Sequence, residues 1–313
     1  KITIHSRQNI KKKMNIYKRF TLLGRSEWAP AVAVAINLAL AYLAYFATRL
    51  IFLAVNYSYF AEGLSGGHLA EMLRGGLVFD TSAIMYTNAL YILLMLLPLH
   101  LKERPAYQRL CKWVFVAVNG LAVIMNLADT GYFQFTSRPT TRTTSAVFSE
   151  FSHESNIGSI IASELAAHWY LWLAGIALIA MLWTLSATSR LDRRRLVWWR
   201  YSAATGVSLA VMAVLCVGGM RGGFAHAVRP VTVSNANQYV DRPIEAALVL
   251  NTPFSVLRTI GKNADTDPHY FASEREAMAL YTPLHQPAAG VKFNRKNVVV
   301  IIIESFGKEY IGS

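Results

Sequence analysis

Five runs of almost unbroken apolar residues punctuate the chain, at 30–56, 77–97, 113–129, 168–186 and 199–220. Each is close to the roughly 20 helical residues that cross a hydrocarbon core, so the pattern predicts five transmembrane helices. After Arg221-Gly222-Gly223 the pattern changes, because paired glycines end a helix and the chain to residue 242 is polar and irregular. Short apolar helices are expected at 243–250 and on to residue 260, with Asn251-Thr252-Pro253 between them. Their moderate hydrophobicity predicts that they lie on the outer membrane surface or pack against a soluble domain. Ser273, with Glu274 and Glu276 in the turn that follows, predicts a helix start, and Pro283, Pro287 and Gly290 end that helix. The last apolar run, Val298-Val299-Val300-Ile301-Ile302-Ile303, is too short to span a bilayer and reads as a strand buried on both faces.

Composition excludes an ordinary soluble protein: 54% of residues are hydrophobic and 16% charged. The net charge of +13 is spread in short blocks between the apolar runs, the distribution of juxtamembrane loops and not of a nucleic-acid interface. Lys11, Lys12, Lys13, Lys18, Arg19 and Arg25 precede the first run. Lys102, Arg104, Arg109 and Lys112 separate the second from the third, and Arg190, Arg193, Arg194, Arg195 and Arg200 the fourth from the fifth. These three blocks belong in the cytoplasm; the loops at 57–76 and 130–167 are poor in basic residues and belong outside. With five spans and a cytoplasmic N-terminus, everything after Met220 is extracytoplasmic. Trp28, Trp113, Trp198 and Trp199 then anchor the inner interface, and Tyr57, Tyr59, Phe60, Trp169, Tyr170 and Trp172 the outer one. Cys111 and Cys216 fall near opposite faces, too far apart to bridge. The first run is too long for a signal-peptide core. Met14-Asn15-Ile16 resembles a natural start, so residues 1–13 read as upstream sequence, and a strand followed by so short a tail reads as the opening of an unfinished sheet.

Charge inside the spans is sparse. Arg49 lies in the outer half of the first span, where a charge must be paired or face a cavity, and Asp80 enters the second span from the same side. An Arg49–Asp80 ion pair is one expectation, and receipt of a lipid phosphate by Arg49 the other. Arg138, Arg142, Arg221 and Arg229 sit in outward segments near the membrane surface, suited to bidentate phosphate contact or to general head-group contact. The eight histidines show no paired metal-ligand spacing. No internal repeat or low-complexity tract is present.

The strand ends in a carboxylate, Glu304, at the edge where open α/β sheets hold ligands. The run Lys296-Asn297-Val298 through Ile303-Glu304-Ser305-Phe306, preceded by five spans and an outward linker, resembles the lipoteichoic acid synthase-like branch of the alkaline phosphatase and sulfatase superfamily. Gly75-Gly76-Leu77-Val78-Phe79-Asp80-Thr81-Ser82 resembles the membrane part of the same family in Gram-negative bacteria, a weaker match. The resemblance implies an all-α membrane domain at 30–220, juxtamembrane helices and linker at 221–295, and the first strand of an α/β catalytic domain at 296–313. It implies that Glu304 is one ligand of a divalent metal (manganese, magnesium or zinc) and that a threonine nucleophile and further ligands lie beyond Ser313. Ser305, next to Glu304 on a strand, points the other way and is structural.

The resulting expectation is a multi-pass enzyme of the bacterial cytoplasmic membrane. It would move phosphoglycerol or phosphoethanolamine from a phospholipid donor to an extracytoplasmic glycan or lipid acceptor. A sulfatase or phosphodiesterase of the same superfamily is the nearest alternative, and a transporter or scaffold the alternative of another class. The chain alone, without a nucleophile, is expected to be inactive.

Overall fold

The apolar runs become helices whose ends fall close to those of the runs, except at the N-terminus of the second and at both ends of the third, which extend further. A computed structural model of the chain describes residues 27–136, 167–189, 197–223, 230–259 and 270–282, apart from Gly63 and Ala272. Helix α1 spans Ala29–Val55, α2 Tyr57–Phe60, α3 Gly66–Thr87, α4 Ala89–Leu96, α5 Pro105–Thr136, α6 Trp169–Leu185 and α7 Trp198–Arg221. Three of them, α1, α5 and α7, are long and apolar enough to cross a membrane. Helices α3 and α4 meet that test only as a pair, bent by 57° at Asn88, and α6 is shorter at 17 residues. The described residues are therefore mostly helical, with segments long and apolar enough to cross a membrane, and contain no strand.

Helix α5 packs between α6 and α1, while α3 packs between α1 and α7, with α4 beneath against α1, α5 and α7. The interior is apolar, with Tyr45, Phe79, Ile84, Met95, Phe115 and Val123 buried. It is also laced with amides. Asn88 and Asn119 exchange hydrogen bonds of 3.1 and 2.7 Å across the α3–α4 bend, so the residue that breaks the helix is also fastened to α5. Asn37 of α1 grips the chain just after α6, accepting from the Ala187 amide at 2.7 Å and donating to its carbonyl at 3.0 Å. Gln108 does the same for Ser189, accepting from its amide at 3.2 Å. An amide whose donors and acceptors are all used can sit in an apolar bundle and join helices that have no hydrophobic reason to prefer each other over lipid. Between two helix starts, Lys102 is buried with its ammonium 5.6 Å from the centre of the Tyr201 ring, and burial draws its pKa down to about 8.

Helix α7 stops at Gly222, whose φ of 81° lies in the left-handed region, and the Gly223 amide returns to the Gly218 carbonyl at 2.9 Å. Residues 230–259 then fold back onto the end of the bundle where α1 terminates, called the upper end below. This strap contains two 3-10 turns, Val233–Tyr239 and Pro243–Glu245, and two short helices, α8 (Ala246–Val249) and α9 (Thr252–Thr259). Its middle is not on a surface, although Leu257 near its end is exposed. Leu248, Val249 and Phe254 are fully buried among α1, α3 and α5, with the Phe254 ring edge-on to Phe79 at 5.0 Å. The helices for which the sequence left a membrane-surface or a soluble-domain placement are instead docked against the end of the bundle, and strap and spans belong to one compact unit, Lys1–Lys262.

The second unit, Asn263–Ser313, contributes helix α10 (Glu274–Leu280), capped by the Ser273 hydroxyl, which accepts from the Glu276 amide at 3.3 Å. That start is where the sequence placed it. The strand expected at 297–303 lies outside the described residues.

The reciprocal pair at the bend carries a measurable coupling. Replacing Asn88 and Asn119 by leucine, singly and together, should give a coupling of about 0.6–1.7 kcal/mol in a bicelle unfolding cycle. A coupling of zero would remove the pair from the forces that hold the bend.

Candidate functional site

Helix α1 delivers Arg49 to the upper end of the bundle, where its guanidinium is surrounded by acceptors. One terminal nitrogen (Nη2) donates to the Asp80 carboxylate and to the Gly76 carbonyl at 3.2 Å. The other (Nη1) donates to the Leu248 carbonyl and faces those of Val249 and Leu250 at 2.8 and 3.3 Å. Those three carbonyls close α8, so they are the acceptors that a helix end leaves without partners. A cation at that end also suits the sign of the helix dipole. Arg49 and Asp80 are both buried.

Helix α3 is shaped to admit this guanidinium. Gly76 and Asp80 are one turn apart and share a face. A side chain at Gly76 would bring its Cβ to 2.6 Å from the guanidinium carbon, and one at Gly75 would come within 2.5 Å of the Tyr239 ring. The two glycines are therefore required by two close approaches, one to α1 and one to the strap.

Asp80 also accepts from the Asn251 side-chain amide at 2.9 Å. Asn251 caps α9, its carbonyl oxygen accepting from the Phe254 amide at 2.8 Å. The next free amide, that of Thr252, donates to Asn126 of α5 at 3.0 Å, and Asn126 in turn donates to the Thr48 hydroxyl at 3.2 Å. Arg49, Asp80 and Asn126 thus secure the middle of the strap from three helices. Between strap and bundle lies a small cleft of about 20 Å³, lined by Thr48, Arg49, Phe52, Asn126, Asp129 and the strap residues Ala247, Leu248, Leu250, Asn251 and Thr252.

A second fastening lies at the edge. Glu245 is buried and receives hydrogen bonds from Arg242 Nε at 2.8 Å, His68 Nε2 at 2.8 Å and the Asp241 and Arg242 amides at 3.1 Å. Burial alone raises a carboxyl pKa, but these donors outweigh it and hold Glu245 down at about 2. His68, unassigned on sequence grounds, is the residue of α3 that reaches Glu245. Glutamate at 245 with arginine three residues before it was the only sequence signal for this contact.

The structure brings Arg49 and Asp80 together and spends both terminal nitrogens of Arg49 on the protein. Arg221 is exposed in the last turn of α7, away from the cleft. Arg138, Arg142, Arg229 and Glu304 lie outside the described residues. Among the described residues no group of three or more His, Cys, Asp or Glu converges to hold a metal. Both cysteines are free, Cys111 buried in α5 and Cys216 on α7 with its sulfur 3.8 Å from that of Met85. No family model, characterised protein or solved structure matches the chain.

Asp80→Asn strands a buried guanidinium and should cost about 3–5 kcal/mol. Gly76→Ala, which forces that guanidinium to shift, should cost about 1–3 kcal/mol. Thermal unfolding in nanodiscs measures both, and wild-type stability in Asp80→Asn would contradict a shared seat. Glu245 supplies a pH dependence. Its folded pKa is below the ordinary 4.5, so its stabilisation is complete above 4.5 and is lost as pH falls toward 2. Glu245→Gln should flatten that part of the stability curve, measured from pH 5 to 2.

Proposed function

We propose that this chain is the membrane domain and the entry to the catalytic domain of a metal-dependent phospholipid head-group transferase. The observation that carries the reading is the largely apolar run from Asn297 to Ile303 followed by the carboxylate of Glu304, which the sequence reads as a strand, set behind the apolar helical segments and an intervening linker. The bent pair α3–α4 and the shorter α6 serve as the second and fourth of five spans. The basic blocks keep the N-terminus, the 102–112 segment and the 190–200 segment in the bacterial cytoplasm, and the strap faces outward with everything that follows. Lys112 stacked 4.7 Å over Trp183, which meets Trp113 edge-on at 4.7 Å, is the kind of aromatic-cation cluster found at an interface and fits the inner one.

In this reading Glu304 is one ligand of manganese, magnesium or zinc, and the resemblance assigns no nucleophile within residues 1–313. The metal, when bound, makes a hydroxyl nucleophile easier to deprotonate and offsets charge on a phosphoryl oxygen. Glu304 anchors the cation and partly neutralises it. A phosphoglycerol or phosphoethanolamine group would pass from phospholipid to a glycan or lipid acceptor; if water takes the acceptor's place, the same site is a hydrolase. Arg138, Arg142, Arg221 and Arg229 would meet lipid phosphates at the outer surface.

The protein encoded by the full reading frame, assayed with head-group-labelled phospholipid and each divalent metal, should transfer label in a metal-dependent way. Glu304→Ala should abolish transfer while leaving membrane insertion intact, and the 313-residue chain alone should give none. Undiminished transfer by Glu304→Ala would remove Glu304 from the metal site, and the absence of any transfer or hydrolysis by the intact protein would overturn the reading.

A further inference from the structure

The strap does not match the donor set of Arg49. A guanidinium has five N–H donors in a planar fork. Three strap carbonyls compete for the two protons of one terminal nitrogen, while the Nε proton, also buried, has no acceptor. The strap also leaves a small void, room for about one or two waters, bordered by Thr48, Phe52, Asn126 and Asp129. A segment held by carbonyls on an imperfectly used arginine, beside a small void, is one that a better acceptor can displace.

We propose that residues 246–252 are a lid over a seat for a phospholipid phosphate, latched by Arg49. An entering phosphodiester takes the Nη1–Nη2 edge of Arg49 in place of the Leu248, Val249, Leu250 and Gly76 carbonyls, while the other Nη2 proton stays on Asp80. Phosphate is the matching chemistry because two of its oxygens meet a guanidinium at once and carry the charge that carbonyls lack. A lipid is the matching source. Phe52, Leu248 and Leu250 give the cleft an apolar wall, and Arg49 sits six residues inside the end of a helix long enough to cross a membrane. Asn126 and Asn251 are the lid's other fastenings, and both release when the Asp80–Asn251 and Thr252–Asn126 bonds break.

The test is amide hydrogen exchange at Thr252, Phe254 and Ser255, the first bonded to Asn126 of α5 and the other two to Asn251, which Asp80 holds. The full chain is held in maltoside micelles, which contain no phosphate, and titrated with phosphatidylglycerol, with diacylglycerol or with inorganic phosphate. Phosphatidylglycerol should raise exchange about tenfold, with no change from the other two additions. Asn126→Ala, which loosens the lid and leaves Arg49 untouched, should reach the same exchange at lower lipid concentration. Arg49→Lys, which keeps the charge beside Asp80, should abolish the rise. An equal response to diacylglycerol would overturn the phosphate seat, an equal response to inorganic phosphate would overturn the lipid source, and no response in either wild type or Asn126→Ala would overturn the lid. Because exchange is read without turnover, the lid and the transferase reading can each fail alone.

Discussion

A buried guanidinium cannot be left without acceptors, and the upper end of this bundle is organised around that one constraint. Removing Arg49 from water is costly whatever surrounds it, and the protein answers with a carboxylate and a set of backbone carbonyls. The carboxylate comes from α3 and most of the carbonyls from the strap. Three segments far apart in sequence are therefore joined at a single side chain. Each would be less stable alone: α8 would end on bare carbonyls, Asp80 would be a buried anion, and Arg49 an unpaired cation.

The same constraint explains features that have no local cause. Nothing in helix propensity favours two glycines in mid-helix, where each costs about 1 kcal/mol relative to alanine. Their cost is offset by what they admit, the Arg49 guanidinium at Gly76 and the Tyr239 ring at Gly75. The weak sequence motif around Gly75 and Asp80 is thus a record of close approach between elements. It does not by itself mark a place where substrate is held.

Much of this was legible in the sequence, and the limits have physical reasons. Apolar runs gave the helices, because a bilayer-length run has few other uses, and a charge deep in one of them called for a partner of opposite sign entering from the same side. Asp80 was that partner. The strap was misjudged because its apolar residues come in groups of four or five broken by Asn251-Thr252-Pro253, a pattern that suits a surface helix as well as a buried one. What decides between them is whether the broken backbone finds partners, and those partners, Arg49 and Asn126, are more than a hundred residues away. The α3–α4 bend escaped for a similar reason: Asn88 reads as one polar residue in an apolar run until Asn119 is brought opposite it. His68 escaped because its partner Glu245 lies at the far end of the chain.

The interior amides also bear on which class of function fits the bundle. A path for ions or protons needs polar groups that can let go of one partner and take another as the cargo passes. Asn37, Asn88, Asn119 and Gln108 instead have both ends of their amides engaged, with each other or with the backbone of a neighbouring segment, and they do so at different levels of the bundle. Their hydrogen bonds fix helix to helix and would have to break in succession for anything to be conducted. By contrast, polar groups around the cleft converge at one end, beside the segment that leads to the second unit. A bundle that is fastened through its middle and has its polar cleft at one end is better suited to presenting something at that end than to passing it through. This arrangement offers no ready path for a transported ion or proton, which is what the proposed reading requires of the bundle.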